Sequence, residues 1–155
     1  RAMAHCLREL SWTTNPRCYN VGSLGVFLGE LTERFCAAAG WECKLELPPA
    51  DDSRLVPARV RHDLLVLVKE SLANAAKHAR ARSISLQVSA VEGQLRLTLR
   101  DDGAGFDPAR THWGSGLRNL HERLEHAGGS FAVTSAPAQG TVITATVPLD
   151  RPKDI

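Results

Sequence analysis

Residues 83–89, SISLQVS, and 94–100, QLRLTLR, alternate apolar and polar side chains without a break. Successive residues of a strand point to opposite faces, so each run predicts a strand with one buried and one solvated side. Only a short turn at Glu92 and Gly93 separates them, which predicts a hairpin.

Two more alternating runs, SFAVTS at 130–135 and TVITATVPL at 141–149, flank the turn APAQG, and WECKLEL at 41–47 puts Trp41, Cys43, Leu45 and Leu47 in one phase. Helical spacing fills the intervals. Leu24, Phe27, Leu28, Leu31 and Phe35 recur every few residues up to Gly40, and Val60, Leu64, Leu67, Val68, Ser71, Leu72 and Ala75 form one broad side between Pro57 and Ala79. Leu117, Leu120, Leu124 and Ala127 do the same ahead of Gly128. The order is helix, strand, helix, two strands, helix, two strands. It predicts an α+β fold, a two-layer α/β sandwich with a mixed, mostly antiparallel sheet and helices packed on one face.

A chain of 155 residues holds one such core. A net charge of +2 gives no general pull toward nucleic acid or anionic membranes, and no apolar run is long enough to cross a bilayer. Cys6, Cys18, Cys36 and Cys43 form no CxxC pair and have no histidine at ligand spacing from two of them, so free thiols in a reducing compartment are expected. The opening RAMAHCLREL has neither an initiator methionine nor a signal peptide and reads as a soluble piece of something larger.

Within KESLANAAKHA, Glu70, Asn74 and Lys77 fall inside an arc of about 60° on an α-helix, with His78 just beyond it. Taken alone, this is also what a solvated helix face carries. The small residues of SLANAA around Asn74 leave room for a ligand. An asparagine oxygen is a hard donor of the kind Mg²⁺ accepts, and Mg²⁺ takes most of its other ligands from phosphate and water. Glu70 could serve as a general base or hold a water, and Lys77 could offset phosphate charge.

Asp101 ends the alternation of the second hairpin strand, and Gly103 and Gly105 follow in DDGAGFD. Glycines here permit positive φ and close approach of a planar ligand, while an ionised carboxylate accepts from the exocyclic amine that adenine carries. An Asp-Gly turn after a strand is also common without a ligand. Further on, GSGL (Gly114, Gly116 and Leu117 among it) stands directly before a helix, where free backbone N–H groups and the positive end of the helix dipole suit phosphate.

In that order, KESLANAAKHA, DDGAGF, GSGL and QGTVITATVPL resemble the N box, the G1 box, the G2 box and the closing GT element of the ATP-binding catalytic domain of sensor histidine kinases, within the superfamily shared with DNA gyrase and MutL. The resemblance covers roughly 54–149. GLRNLHERLEHAGGSFAVTSAPAQGT is similar to the short-lid subfamily whose partners are helix-turn-helix response regulators. It implies ATP and Mg²⁺ as cofactors, with Asn74 as the metal ligand, Glu70 as its acidic neighbour, Lys77 in contact with phosphate and His78 among the cofactor-binding residues. It further implies that Asp101 meets the adenine amine with hydrogen-bonding support from Thr141, that Gly103 and Gly105 shape the adenine pocket, and that Gly114, Gly116 and Leu117 belong to the phosphate lid. Whether Glu70 is the base stays open, since the acid beside the acceptor histidine can take that role.

No segment separates DDGAGFD from GSGL beyond about Pro108–Trp113, so the expected lid is short, with Trp113 as a packing or lid-closing residue. The phosphoacceptor histidine of the family lies on a preceding dimerisation helix that this chain lacks. His62-Asp63 and His121-Glu122 spell the right dipeptide but fall inside elements of the nucleotide domain, and His5 is no better placed. Residues 1–20 would be the end of that helix and a hinge around Trp12, Asn15 and Pro16, 21–150 the catalytic domain and 151–155 a tail.

The implied function is phosphotransfer from Mg-ATP to a histidine on a separate dimerisation domain, with a response regulator downstream. The setting would be a homodimeric, membrane-anchored sensor of which this is the cytoplasmic module, with no direct nucleic-acid contact. The rival readings are a non-catalytic ATP sensor, and a hydrolysing ATPase or serine kinase of the same superfamily.

Overall fold

The computed structural model describes residues 20–110 and 114–149. The expectations for the hinge, for Trp113 and for the tail lie outside them.

Helix α1 (Val21–Ala39) starts where the Asn20 side chain accepts the Ser23 N–H at 2.8 Å and stops at Gly40 in the left-handed region, as a capped amphipathic helix should. Strand β1 (Glu42–Glu46) follows. Helix α2 (Ala58–Asn74), led in by Pro57, passes into a π turn (Ala75–Ala79). Strands β2 (Ser83–Val91) and β3 (Gln94–Asp101), helix α3 (Ser115–His126), and strands β4 (Ser130–Ser135) and β5 (Thr141–Pro148) complete the order. The expected hairpin is β2–β3. Its turn residues Glu92 and Gly93 both have positive φ, 52° and 73°, the backbone that matches the twist of the strands it joins.

The strands lie in the order β1-β2-β3-β5-β4, parallel only between β1 and β2, where α2 makes the crossover. Register brings the apolar phases of four strands onto one face. Leu86, Leu99, Ile143 and Val133 form one cross-strand row, and Val88, Leu97, Ala145 and Phe131 the next. The helices cover this face, with Leu24, Leu28, Leu64, Leu67, Leu72 and Leu120 fully buried against it. Each such leucine contributes about 1.5–3 kcal/mol relative to exposure. On the other face Ser85, Gln87, Arg96, Arg100 and Thr144 stay accessible, so the predicted two-layer sandwich is what forms.

One row breaks the apolar rule on the buried face. Beyond Leu86–Leu99–Ile143–Val133 comes Ile84–Asp101–Thr141–Ser135. Asp101 occupies the phase of Leu95, Leu97 and Leu99 and is 5% exposed. A carboxylate in a leucine's place costs stability, so the fold does not need it there.

Candidate functional site

Asp101 and Thr141 of the polar row line a cavity of about 520 Å³ between the sheet and the helices, a volume within the range of small-molecule sites. Ser71 and Asn74 from α2 and Ala75 and His78 from the π turn make one wall. Leu99 and Asp101 of β3, Val133 of β4, and Thr141 and Ile143 of β5 make the floor. Gly105 and Phe106 border it on the loop side, and Gly114 and Leu117 border it at the start of α3. The cavity is mostly apolar with a few polar groups at its ends, suited to a flat ring system bearing a polar tail.

Seven of the eleven expected residues line this cavity: Asn74, His78, Asp101, Gly105, Gly114, Leu117 and Thr141. The remaining four do not. Lys77 is exposed on the π turn and is not in the cavity lining, and local geometry accounts for this. An α-helix advances about 100° per residue and a π turn advances less, so residues after Asn74 fall behind their α-helical positions. His78, which an α-helix puts ahead of Asn74, drops back into line with it, while Lys77, already at the trailing edge, leaves the wall.

Glu70 is exposed one turn before Asn74, and Gly116 lies against it: a Cβ on Gly116 would sit 3.3 Å from the Glu70 carboxyl carbon. Gly103 is buried and donates its N–H to Asp101 Oδ1 at 2.9 Å. Burial pushes the Asp101 pKa up from that of an ordinary aspartate. Hydrogen bonds from the Gly103 and Thr141 backbone oppose the rise and the neighbouring Asp102 charge adds to it. Asp102 has the reverse environment. It accepts the Arg82 and Ser83 N–H groups at 2.8 and 2.9 Å, which pull its pKa down and pin the start of β2 to the end of β3.

The loop after β3 is held by the β4–β5 turn, a contact that reading by motif missed. Ser135 Oγ accepts the Phe106 N–H at 2.9 Å, donates to the Gly140 carbonyl at 2.9 Å and lies 3.0 Å from Thr141 Oγ1. The Ala138 N–H donates to the Ala104 carbonyl at 2.6 Å. The expected support of Asp101 by Thr141 thus comes through the Thr141 backbone, while its hydroxyl turns to Ser135. Phe106, Leu99, Val133, Ile143 and Ser71 were likewise not singled out for the site. The strand phase of Leu99, Val133 and Ile143 and the small size of Ser71 were visible, but the register that assembles them, and that brings the loop residue Phe106 to them, was not.

The Asn74 side chain makes no capping hydrogen bond to the turn that follows it. Its amide oxygen is a single hard donor on the wall, a donor set that fits a divalent ion taking its other ligands from phosphate and water. Among the described residues, no helix is long and apolar enough to cross a membrane.

Known proteins share this sequence and architecture. The chain is 31% identical over 146 residues to the sensor histidine kinase MctS of Rhizobium johnstonii, which takes in 92% of this chain and 31% of MctS. It is 31% identical over 135 residues to the sensor histidine kinase YdfH of Bacillus subtilis, 83% of this chain and 32% of that protein. It therefore spans about a third of the length of these curated relatives. Among solved structures, the histidine kinase domain of the blue-light activated histidine kinase EL346 of Erythrobacter litoralis superposes with a TM-score of 0.66 at 26% identity, covering 81% of this chain and 61% of that one. Residues 60–151 match the family described as histidine kinase-, DNA gyrase B-, and HSP90-like ATPase, and they contain all four motifs and every element of the cavity wall, so the chain belongs to that ATPase family.

Proposed function

We propose that the cavity binds Mg-ATP and that, in the intact protein, it presents the γ-phosphate to a histidine on a dimerisation domain outside this chain. Adenine lies at the Asp101–Thr141 end, against Leu99, Ile143 and Val133. The phosphates run toward Asn74, His78 and the backbone N–H groups at the start of α3. The observation that carries this reading is Asp101: a carboxylate buried in the lining of a mostly apolar cavity, where the strand phase calls for leucine, is explained by a ligand amine.

Asn74 would hold the Mg²⁺, whose charge offsets that of the phosphates. Phosphoryl transfer asks mainly for position and charge stabilisation, so this chain's part is to orient the triphosphate and offset its charge. Glu70 stands beside Asn74 and Gly116 and is placed to hold a water or take a proton near the phosphates. A short-lid kinase of this kind would have a helix-turn-helix response regulator as its downstream partner and act as a homodimer through its dimerisation helices.

Calorimetric titration of the chain with a non-hydrolysable ATP analogue, with and without Mg²⁺ and beside a GTP analogue, tests the pocket. Adenine-selective, Mg²⁺-dependent binding that is lost in Asp101→Asn supports it; binding indifferent to both the base and Asp101 refutes it. Transfer of labelled phosphate to a supplied dimerisation domain tests the activity, and undiminished transfer by Asn74→Ala would remove Asn74 from the mechanism.

A further inference from the structure

The hydrogen-bond network around Ser135 has only one consistent proton assignment. A serine hydroxyl has one proton and two lone pairs. The Gly140 carbonyl, 2.9 Å away, can only accept, so the Ser135 proton goes there. The Phe106 N–H can only donate and fills one lone pair at 2.9 Å. Thr141 Oγ1, at 3.0 Å, must then donate into the other. Ser135 is saturated, and the Thr141 proton is committed to it.

Thr141 lines the cavity as the cross-strand partner of Asp101. With its proton held by Ser135, its hydroxyl offers the cavity lone pairs alone. Asp101, ionised, also offers only lone pairs. Side by side in the cavity lining, the two are therefore a pair of acceptors. The pair suits a base edge that donates, such as the amine of a 6-aminopurine, directly or through a water. A 6-oxopurine puts an oxygen where the amine would be, so that lone pairs meet lone pairs there, and carries its donor at N1 instead.

We infer that Ser135 is a positioning residue for base selection: by fixing the Thr141 hydroxyl proton it makes the base end of the cavity acceptor-only and excludes 6-oxopurine nucleotides. This rests on the reading of the cavity as an adenine-nucleotide site. Loss of the Ser135 hydroxyl frees Thr141 to rotate and donate to the oxygen of a 6-oxopurine. It also loosens the loop at Phe106, but that weakens both kinds of nucleotide alike.

The test is calorimetric titration of the chain with ADP and with IDP, which differ at position 6, amino or oxo, and in the N1 proton that accompanies the oxo form. The native chain is expected to favour ADP. In Ser135→Ala the ADP-to-IDP affinity ratio falls about tenfold, the worth of one hydrogen bond turned from repulsive to attractive. Ser135→Thr, which keeps the hydroxyl, retains the native ratio. In a Thr141→Val background, adding Ser135→Ala leaves the ratio where Thr141→Val put it, because no hydroxyl remains to be released. If Ser135→Ala fails to fold, Ser135→Cys, close in size but a poor hydrogen-bonding partner, carries the same expectation. A ratio unchanged while both affinities fall together makes Ser135 merely structural and overturns the inference, as does a fall that persists in the Thr141→Val background. Failure of the native chain to bind either nucleotide is a different result: it refutes the adenine-nucleotide reading, and this inference with it.

Discussion

Gly116, in the first turn of α3, faces the carboxylate of Glu70 on α2, with room for a hydrogen but not for a methyl group at rest. The two helices meet at their site ends through this contact. The Glu70 side chain is exposed, so it can swing away from an added Cβ.

Gly116→Ala is therefore expected to leave the fold intact, and even to gain up to about 1 kcal/mol from the better helix propensity of alanine. Affinity for a triphosphate should fall several-fold, because the methyl displaces Glu70 and crowds the N–H groups at the start of α3. Denaturant unfolding and nucleotide titration on the same variant check the split. A parallel loss of stability and binding would contradict it.

Gly140→Ala is expected to do the opposite. Gly140 has φ of 70°, and a Cβ there would overlap the Asp101 carbonyl oxygen, which is backbone and cannot swing aside. The left-handed backbone alone costs about 1–2 kcal/mol for a residue with a side chain, and the overlap adds to it. A drop in the unfolding midpoint of several degrees, together with weakened nucleotide binding, is the expected outcome; a native-like melting curve would show that the β4–β5 turn relaxes freely.

These two glycines show what was legible in the sequence. Alternation named the inward residues of β2, β3 and β5, while Leu47, read in phase with Cys43 and Leu45, lies beyond β1 and is exposed; helical spacing named Val60, Leu64, Leu67, Val68, Ser71, Leu72 and Ala75, each of them buried. Asp101 was legible because it stands in a leucine's phase. Lys77 was misplaced because helical arithmetic assumed α geometry through Ala79, and nothing in AAKHA announces a π turn. Ser135 was invisible for another reason. Its contacts to Phe106 and Gly140 depend on the pairing of β4 with β5 and of β5 with β3, which is long-range register rather than local pattern.

Asp63 and Arg123 tie the other ends of the same two helices, with Arg123 Nε 3.4 Å from Asp63 Oδ1. Each lies seven residues, or two turns, from the Glu70–Gly116 contact, so both contacts belong to one antiparallel seam. The Asp63 side chain is 3% exposed and that of Arg123 37%. The two partners should then fail differently. Arg123→Ala takes one cation from a buried carboxylate that also has His62 Nδ1 at 3.8 Å, and should cost up to about 3 kcal/mol, whereas Asp63→Asn lets Arg123 turn to water and should cost about 1 kcal/mol. Equilibrium unfolding of both variants checks the asymmetry, and equal losses would mean that the pair is solvated in solution.

Asp101 makes the stability of the ligand-free chain depend on pH with a sign opposite to that of most aspartates. Its folded pKa is raised by burial above the 3.8 of an ordinary aspartate, so the folded state binds its proton more tightly than the unfolded state does. The protonated form is favoured by folding. Its contribution is fully present below 3.8 and is lost as pH rises from there through the raised folded value. Asp102, held down by two backbone N–H groups, runs the other way and loses its contribution as pH falls through its lowered value. In Asp101→Asn the first dependence disappears and the second remains. The stability of the variant relative to the native chain should therefore increase as pH rises through that window, which denaturant titrations at a series of pH values would measure. A bound adenine nucleotide should cancel the effect, because an amine donating to the carboxylate favours its ionised form and draws its pKa back down. A pH-independent difference between the two chains, with or without nucleotide, would mean that Asp101 is solvated.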